Sequence, residues 1–283
     1  MSNVKRLFLF AGYSSDNRID NTLVFYVKKL SHHGDVILCM DSNCPGSELN
    51  KVHDYTIAGI GVRHGEYDFG SYKRCFQYAR DNKILDKYDF VYLVNDSVFG
   101  PLFNITNILK RLESVSTDAC GLVESVHKTH SFMESWFVCV NKKIATSVWF
   151  NEFMSNITIQ KSKFDITVQY EHGLSNLIKN NNCSWTGLYR VHGRTTYNKP
   201  KKLFKIGCPF IKKACFTRHG GALGGQIKYI LSHSDKILVN AIMQYANRVY
   251  GTKYTSWLLT NNPYKIIIRK IKYGIQKIIN GGI

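Results

Sequence analysis

The sequence predicts an α/β fold: a mixed, mostly parallel sheet flanked by helices, with a basic helical C-terminal extension. Short apolar runs alternate with segments of helical period, the pattern of strands joined by crossing helices. One run, Phe90-Val91-Tyr92-Leu93-Val94, is almost uninterrupted, as expected of a strand covered on both faces. Positive charge gathers in the last third, beyond the region of alternation.

Residues 7–11 are expected to form the first buried strand. The run is too short for a signal-peptide core, and no clear small-residue cleavage site follows it. A helix is expected over 21–30, with Leu23, Val27 and Leu30 on one face. Strands follow over 35–40 and, more briefly, 57–63, then a helix over 71–82. The strand over 90–94 comes next, followed by a helix over 105–112 and strands over 119–123 and 137–140.

The basic turn Lys199-Pro200-Lys201-Lys202 sets a boundary after about residue 198. It divides an α/β domain, 1–198, from an extension, 199–283. Helical period returns over 226–249, and Asn261-Asn262-Pro263 opens a last helix at about 263–280. There Tyr264, Ile267, Ile268, Ile271, Ile275 and Ile278 recur at helical spacing. Lys265, Arg269, Lys270, Lys272 and Lys277 fill much of the rest, with no acidic residue among them. Such a helix lies in the interface of an anionic membrane, where each basic group adds about 1 kcal/mol. The same pattern also describes a helix docked on the protein with its lysines in water.

A 44% hydrophobic content excludes a disordered chain. No apolar run reaches the length of a membrane-spanning helix. The net charge of +18 implies anionic partners: nucleic acid, phospholipid headgroups or phosphorylated substrates. Nucleic acid is not expected, since no RRM, KH or zinc-finger signature occurs. The eight cysteines form no CxxC pair, and several sit in apolar runs as small hydrophobes. A cytoplasmic location is the expectation.

Four blocks are candidates for chemistry. Asn95-Asp96-Ser97 ends the apolar strand at 90–94, and Gly100-Pro101 then breaks the chain. In open α/β sheets, ligands sit beyond the carboxyl ends of strands, so this triplet suits a phosphate, a sugar or a metal ion. It would equally serve as an Asx-type turn. Asp96 is a hard oxygen ligand of the kind Mg²⁺ or Mn²⁺ takes, but a single one.

Upstream, Asp68, Gly70, Ser71 and Lys73 surround an expected helix start. Gly70 allows close backbone approach, and Lys73, expected in the first turn, opposes the helix dipole unless a phosphate is its partner. Simple capping by Asp68 or Ser71 is the other reading. Downstream, His130, Glu134, Ser135 and Trp136 interleave polar groups with aromatics, which suits a sugar; Trp136 and Phe137 would also suit a core. Finally, Glu171-His172 opens an expected helix. Glu171 is there either a favourable charge on the helix dipole or a general base.

These blocks, in this order, resemble the rhamnan synthesis F family of bacterial polysaccharide glycosyltransferases. The residues that carry the resemblance are Tyr67-Asp68-Phe69-Gly70-Ser71-Tyr72-Lys73, then Asn95 to Pro101, His130 to Phe137, and Tyr170-Glu171-His172-Gly173-Leu174-Ser175. Pro209-Phe210-Ile211-Lys212-Lys213 adds to it, and the similarity runs from about residue 7 to 216. The resemblance implies a GT-A-like (Rossmann-like) fold. It implies transfer of a sugar, typically rhamnose from dTDP-rhamnose, to a growing surface polysaccharide.

On that basis Asn95-Asp96-Ser97 stands where GT-A enzymes carry an Asp-x-Asp element for the donor diphosphate and its Mg²⁺ or Mn²⁺. The second carboxylate is missing, so strong metal dependence is not implied. The nucleoside would lie between Ala11-Gly12-Tyr13 and Asp68. Glu171 would be the base, and His130, Glu134, Ser135, Trp136 and His172 would meet the substrate. The implied acceptor is a lipid-diphosphate-linked glycan at the inner face of the cytoplasmic membrane, reached through the basic tail. A non-catalytic sugar-binding scaffold of the same fold is the competing reading.

Overall fold

The computed structural model describes residues 4–279; the expected tail positions 280–283 lie outside them, as do the side chains of Lys270, Lys272, Lys277 and Ile278. The chain divides into two compact units. One comprises residues up to Ile19, Leu23–Asp96 and Ile105–Gly193; the other comprises Asp20–Thr22, Ser97–Asn104 and the chain from Arg194.

The first unit is built on one mixed, mostly parallel sheet. Its strands are β1 (Arg6–Gly12), β2 (Asp35–Met40), β3 (Ala58–Gly61) and β4 (Phe90–Asn95) on one side. The remainder are β6 (Ala119–Val126), β7 (Ser131–Met133), β8 (Phe137–Asn141) and β9 (Trp185–His192); β5 (Val98–Phe99) belongs to the second unit. The order is β3-β2-β1-β4-β8-β6-β7, with β9 also pairing with β6. β3, β2, β1 and β4 run parallel, β8 runs antiparallel to β4, and β9 runs parallel to β6.

The apolar runs become strands because both faces are covered. Leu7, Leu9, Ile37, Val91 and Leu93 pack with Phe69, Phe76, Phe150 and Tyr170, contributed by helical segments. On the other face the aromatics meet one another: Phe8 lies 4.8 Å from Tyr92 and Phe10 lies 5.0 Å from Tyr26. All eight cysteines are buried and free, and Cys39, Cys75 and Cys183 are small hydrophobes of this core; burial pushes the Cys39 thiol up to about 11.

Register places the strand ends. Ala11 lies opposite Asn95, and Val94 lies opposite Phe137, so the carboxyl ends of β1 and β4 stand beside the turn that precedes β8. The helix between β3 and β4 runs Tyr67–Asp81, four residues earlier than the sequence predicts. Asp68 and Gly70 are therefore inside its first turns rather than ahead of it. Lys73 correspondingly lies beyond the first turn, so its charge does not oppose the helix start.

The stretch Lys163–Asn180 is another correction. It is continuously helical, with a π-helical turn at Thr167–His172 between two α segments. Ile166, His172 and Gly173 all hold right-handed helical angles, so Glu171 sits mid-helix and the dipole reading of its charge is lost. Short π insertions in helices frequently mark functional positions.

The second unit pairs β5 antiparallel with β10 (Ile211–Lys212) and adds helices. The segment expected as one helix over 226–249 is two, Gly224–Leu231 and Lys236–Tyr250. Asp235 breaks it by capping the second, its carboxylate accepting the Ile237 N–H at 2.8 Å. The last helix, Pro263–Ile279, is tied down through Arg269, which is 4% exposed and donates to the carbonyls of Trp257 and Leu258. No described helix is long and apolar enough to cross a membrane.

Candidate active site

At the carboxyl end of β4, Asn95 is almost fully buried. Its side-chain amide donates to Asp68 Oδ2 at 2.9 Å, and its own N–H donates to the carbonyl of Trp136 at 3.2 Å. Asp96 follows in a turn, half-buried, with its N–H on the carbonyl of Ala11 at 3.0 Å. Asn95 thus fixes Asp68 from the neighbouring helix, and Asp96 is fixed by the end of β1. Ser97 falls in the second unit, where its hydroxyl accepts from Lys212 Nζ at 3.0 Å.

A second group stands beside the first. Glu171 Oε1 accepts two hydrogen bonds from Ser135, from the backbone N–H at 2.6 Å and from the hydroxyl at 2.8 Å. The Ser135 carbonyl accepts from the Tyr72 hydroxyl at 3.0 Å. Tyr72 is fully buried, and burial together with the charge of Asp68 raises its pKa well above the ordinary value, so the phenol stays a donor. Tyr72 comes from the same helix as Asp68, and Ser135 precedes β8 beside Asn95. Four blocks far apart in sequence therefore meet: Asp68 with Asn95, Tyr72 with Ser135, and Ser135 with Glu171.

Other expected site residues serve differently. Glu134 and Trp136 are 6% and 2% exposed, and the indole donates to Glu134 Oε2 at 2.7 Å. This is the core reading of that block, and it turns Trp136 away from the role of an open sugar platform. Lys73 Nζ donates to the carbonyl of Ile157 at 2.8 Å and lies 3.8 Å from Glu66 Oε1. Gly70 faces its own protein: an added Cβ would collide with the Glu66 side chain and come within 2.7 Å of His64 Nδ1. The close approach it permits is thus internal packing. Likewise a Cβ on Gly12 would collide with Met40. Tyr13 is 54% exposed, with the Arg63 guanidinium 5.2 Å from its ring centre.

His130 is exposed. Its ring stacks on His127 at 4.9 Å and lies 4.9 Å from His172, which in turn lies 4.0 Å from Phe132. Burial, and then the neighbouring His130 and His127, lower the His172 pKa, so the ring is neutral near pH 7. His172, which follows Glu171 on the same helix turn, joins these rings in an aromatic patch.

One polar network escaped sequence reasoning. Asp41 Oδ1, just past β2, accepts the N–H groups of His64 and Gly65 at 2.9 and 3.1 Å. His64 Nδ1 accepts the Glu66 N–H at 3.1 Å, and Nε2 faces Ser71 Oγ at 3.0 Å. That pattern fits a neutral ring with its proton on Nε2, and burial followed by the Arg74 charge lowers its pKa accordingly. Arg74 ion-pairs with Glu66 and donates to the Gly70 carbonyl at 2.9 Å. The usable signal was the cluster His64-Gly65-Glu66 between a strand and a helix.

The donor set does not fit an all-protein metal site. Asp96 is the one carboxylate at the strand end, Asp68 accepts from Asn95, and among the described residues no group of three His, Cys, Asp or Glu side chains could hold a metal ion. A cation here would have to be shared between Asp96 or Asp68 and substrate phosphates.

A parallel β3-β2-β1-β4 half, an antiparallel β8 and helices on both faces make a mixed, mostly parallel α/β fold of GT-A-like form. The chain belongs to the rhamnan synthesis protein F family, whose model matches residues 36–279. No curated protein matches it. Among solved structures it is similar to a Desulfovibrio desulfuricans G20 protein assigned as a nucleotide-diphospho-sugar transferase. The two share 15% identity over 90% of this chain and 99% of that one, with a TM-score of 0.44. It is also similar to the glycosyltransferase GlyE of Streptococcus pneumoniae TIGR4, at 12% identity over 86% of this chain and 64% of that one, with a TM-score of 0.39. A cytidylyltransferase from Leptospira borgpetersenii is similar at 10% identity over 92% and 98%, with a TM-score of 0.39.

Proposed function

We propose that the chain is a glycosyltransferase that moves a sugar from a nucleoside-diphosphate donor to a hydroxyl of a glycan, with inversion at the anomeric carbon. The observation that carries the reading is Glu171. One of its oxygens is held by two hydrogen bonds from Ser135, which orients the carboxylate as a base needs to be oriented. The acceptor hydroxyl attacks the anomeric carbon as its proton passes to Glu171. The bond from that carbon to the diphosphate oxygen breaks, and the electron pair leaves with the nucleoside diphosphate.

Asp96, Asn95 and Asp68 would hold the donor at the carboxyl ends of β1 and β4, where open α/β sheets take ligands. The exposed ring of Tyr13 supports a nucleobase stacked beside the end of β1. The patch of His130, Phe132 and His172 would take the acceptor sugar. Rhamnose from dTDP-rhamnose is the donor we favour, in keeping with the family, and a lipid-diphosphate-linked glycan is the acceptor.

The last helix supports work at an anionic membrane surface. Tyr264, Ile267, Ile268, Ile271 and Ile275 are all exposed, in a row on one face, while Arg269 anchors the helix from another. The anchor at Arg269 leaves that row on the open side of the helix.

A thermal-shift screen of nucleotide sugars, with and without Mn²⁺, tests the reading. A donor at about 100 times its Kd stabilises the folded state by about 2.7 kcal/mol. The expected result is a shift with one nucleotide sugar, followed by release of nucleoside diphosphate once an acceptor glycan is added. A chain that binds no nucleotide sugar would defeat the proposal.

A further inference from the structure

The amino ends of the strands carry a cleft that the candidate active site does not use. Its volume is about 1070 Å³, at the upper end of the ~300–1,000 Å³ usual for small-molecule sites. Every residue that lines it belongs to the first unit. Arg6 opens β1, Asp35 opens β2 and Phe90 opens β4, so the cleft lies at the strand ends opposite Asn95 and Asp96. The seven residues of β1 separate the two places by roughly 20 Å, at about 3.3 Å per residue.

One wall is the helix Thr106–Glu113. Thr106, Leu109, Lys110 and Glu113 line the cleft, at the spacing of a single helical face. Four cations line it in all, Lys5, Arg6, Lys87 and Lys110, against two carboxylates, Asp35 and Glu113. Both acids have partners in the protein. Glu113 accepts from Arg6 Nη2 at 2.7 Å and from the Tyr92 hydroxyl, and Asp35 accepts from the Tyr88 hydroxyl at 2.7 Å. Arg6 is thereby committed to Glu113. Among the described residues no ion pair holds Lys5, Lys87 or Lys110, and all three are exposed. Burial, and then the Arg6 charge, lower the His33 pKa, so the positive charge of the cleft near pH 7 comes from the lysines.

We propose that this cleft binds a phosphomonoester carried on a small hydroxyl-bearing ring, either a sugar phosphate or a nucleoside monophosphate. Ammonium groups on long stems are point charges that can close on a phosphate from several sides. A planar carboxylate calls for a guanidinium fork, and that of Arg6 is spent on Glu113. Val4, Leu109 and Tyr88 supply apolar lining for the body of the ligand. Asp35 and Ser114 supply oxygens that accept from its hydroxyls; the Ser114 hydroxyl donates its own proton to the Arg111 carbonyl at 3.2 Å, which leaves its oxygen an acceptor. The site stands whether or not the chain transfers a sugar.

Isothermal titration of the full chain, with glucose 6-phosphate in one arm and AMP in the other, tests the site; glucose is the uncharged control. The variants are Lys87→Glu/Lys110→Glu and the neutral pair Lys87→Ser/Lys110→Ser, each checked by its thermal melt. Asp96→Ala probes the other end of the sheet. At least one arm should bind wild type tighter than about 1 mM, and glucose should not. Affinity should drop at least about tenfold in the charge-reversed pair and less in the neutral pair, and stay within about twofold in Asp96→Ala. The arm that responds identifies the body of the ligand as sugar or nucleoside. Should the charge-reversed pair fail to fold, the neutral pair decides, with a loss beyond about threefold required for the site. No binding in either arm, equal binding of glucose, or full affinity in the charge-reversed pair overturns it. Affinity lost in Asp96→Ala and kept in the charge-reversed pair would move the ligand to the carboxyl ends of the strands.

Discussion

Replacing Glu171 by Gln removes one ionisable group and little else. The amide oxygen of the replacement can still accept the Ser135 N–H and hydroxyl that now hold Glu171 Oε1 at 2.6 and 2.8 Å, so position and fold persist. What is lost is the capacity to take a proton. General-base catalysis contributes about 10²–10⁴-fold, so kcat should fall by that factor, equivalent to about 2.7–5.5 kcal/mol of transition-state stabilisation. Donor affinity should stay near wild type, because no donor contact is assigned to this carboxylate. Initial rates of nucleoside-diphosphate release at saturating donor and acceptor measure the first quantity, and a donor-dependent thermal shift measures the second. Ser135→Ala should give a smaller loss in kcat, because the backbone N–H still holds the carboxylate. A Glu171→Gln variant within tenfold of wild-type kcat would refute the base assignment, and with it the reason for the Ser135 contacts.

Three further outcomes follow from the geometry. Gly70→Ala should lower stability by about 1–3 kcal/mol in thermal unfolding, because the added methyl collides with Glu66 and crowds His64; an unchanged melt contradicts that packing. His64 is held neutral by burial, so its folded pKa lies below its unfolded value of about 6.5. Between the two values the unfolded chain binds more protons, so stability should fall as pH drops below about 6.5, and His64→Gln should flatten that slope in denaturant titrations; an equal slope in the variant excludes His64 as its source. Aspartate at Ile267 and Ile271, which are 53% and 56% exposed, should leave the melt unchanged but release the protein from anionic vesicles in flotation assays; vesicle binding equal to wild type counts against the membrane face.

Much of the first unit is legible in the sequence because burial on both faces leaves an unmistakable apolar run. β1, β2, β4 and β8 all announce themselves this way. β9 does not: Trp185–His192 is largely half-buried, and only Tyr189 and Val191 give it an apolar beat against Arg190 and His192. The helix from Tyr67 reads as starting late, because Gly70 and Ser71 resemble punctuation; in the fold, Gly70 is small for the sake of Glu66 and His64. Glu171 is recognisable as a candidate, but its partner is not. Ser135 is 36 positions away, and only the register of β4 with β8 brings that turn beside Asn95. Trp136 shows the converse. Its type suggests a sugar platform, while the hydrogen bond to Glu134 turns it inward, a choice no local pattern encodes.

The anomeric configuration of the product tests the account most directly. The purified chain would be incubated with the nucleotide sugar that stabilises it and with an acceptor glycan, and the new glycosidic linkage read by proton NMR. A single displacement assisted by Glu171 predicts a linkage inverted relative to the donor, with one nucleoside diphosphate released per sugar transferred. A retained configuration, or nucleotide release with no glycoside formed, would contradict it.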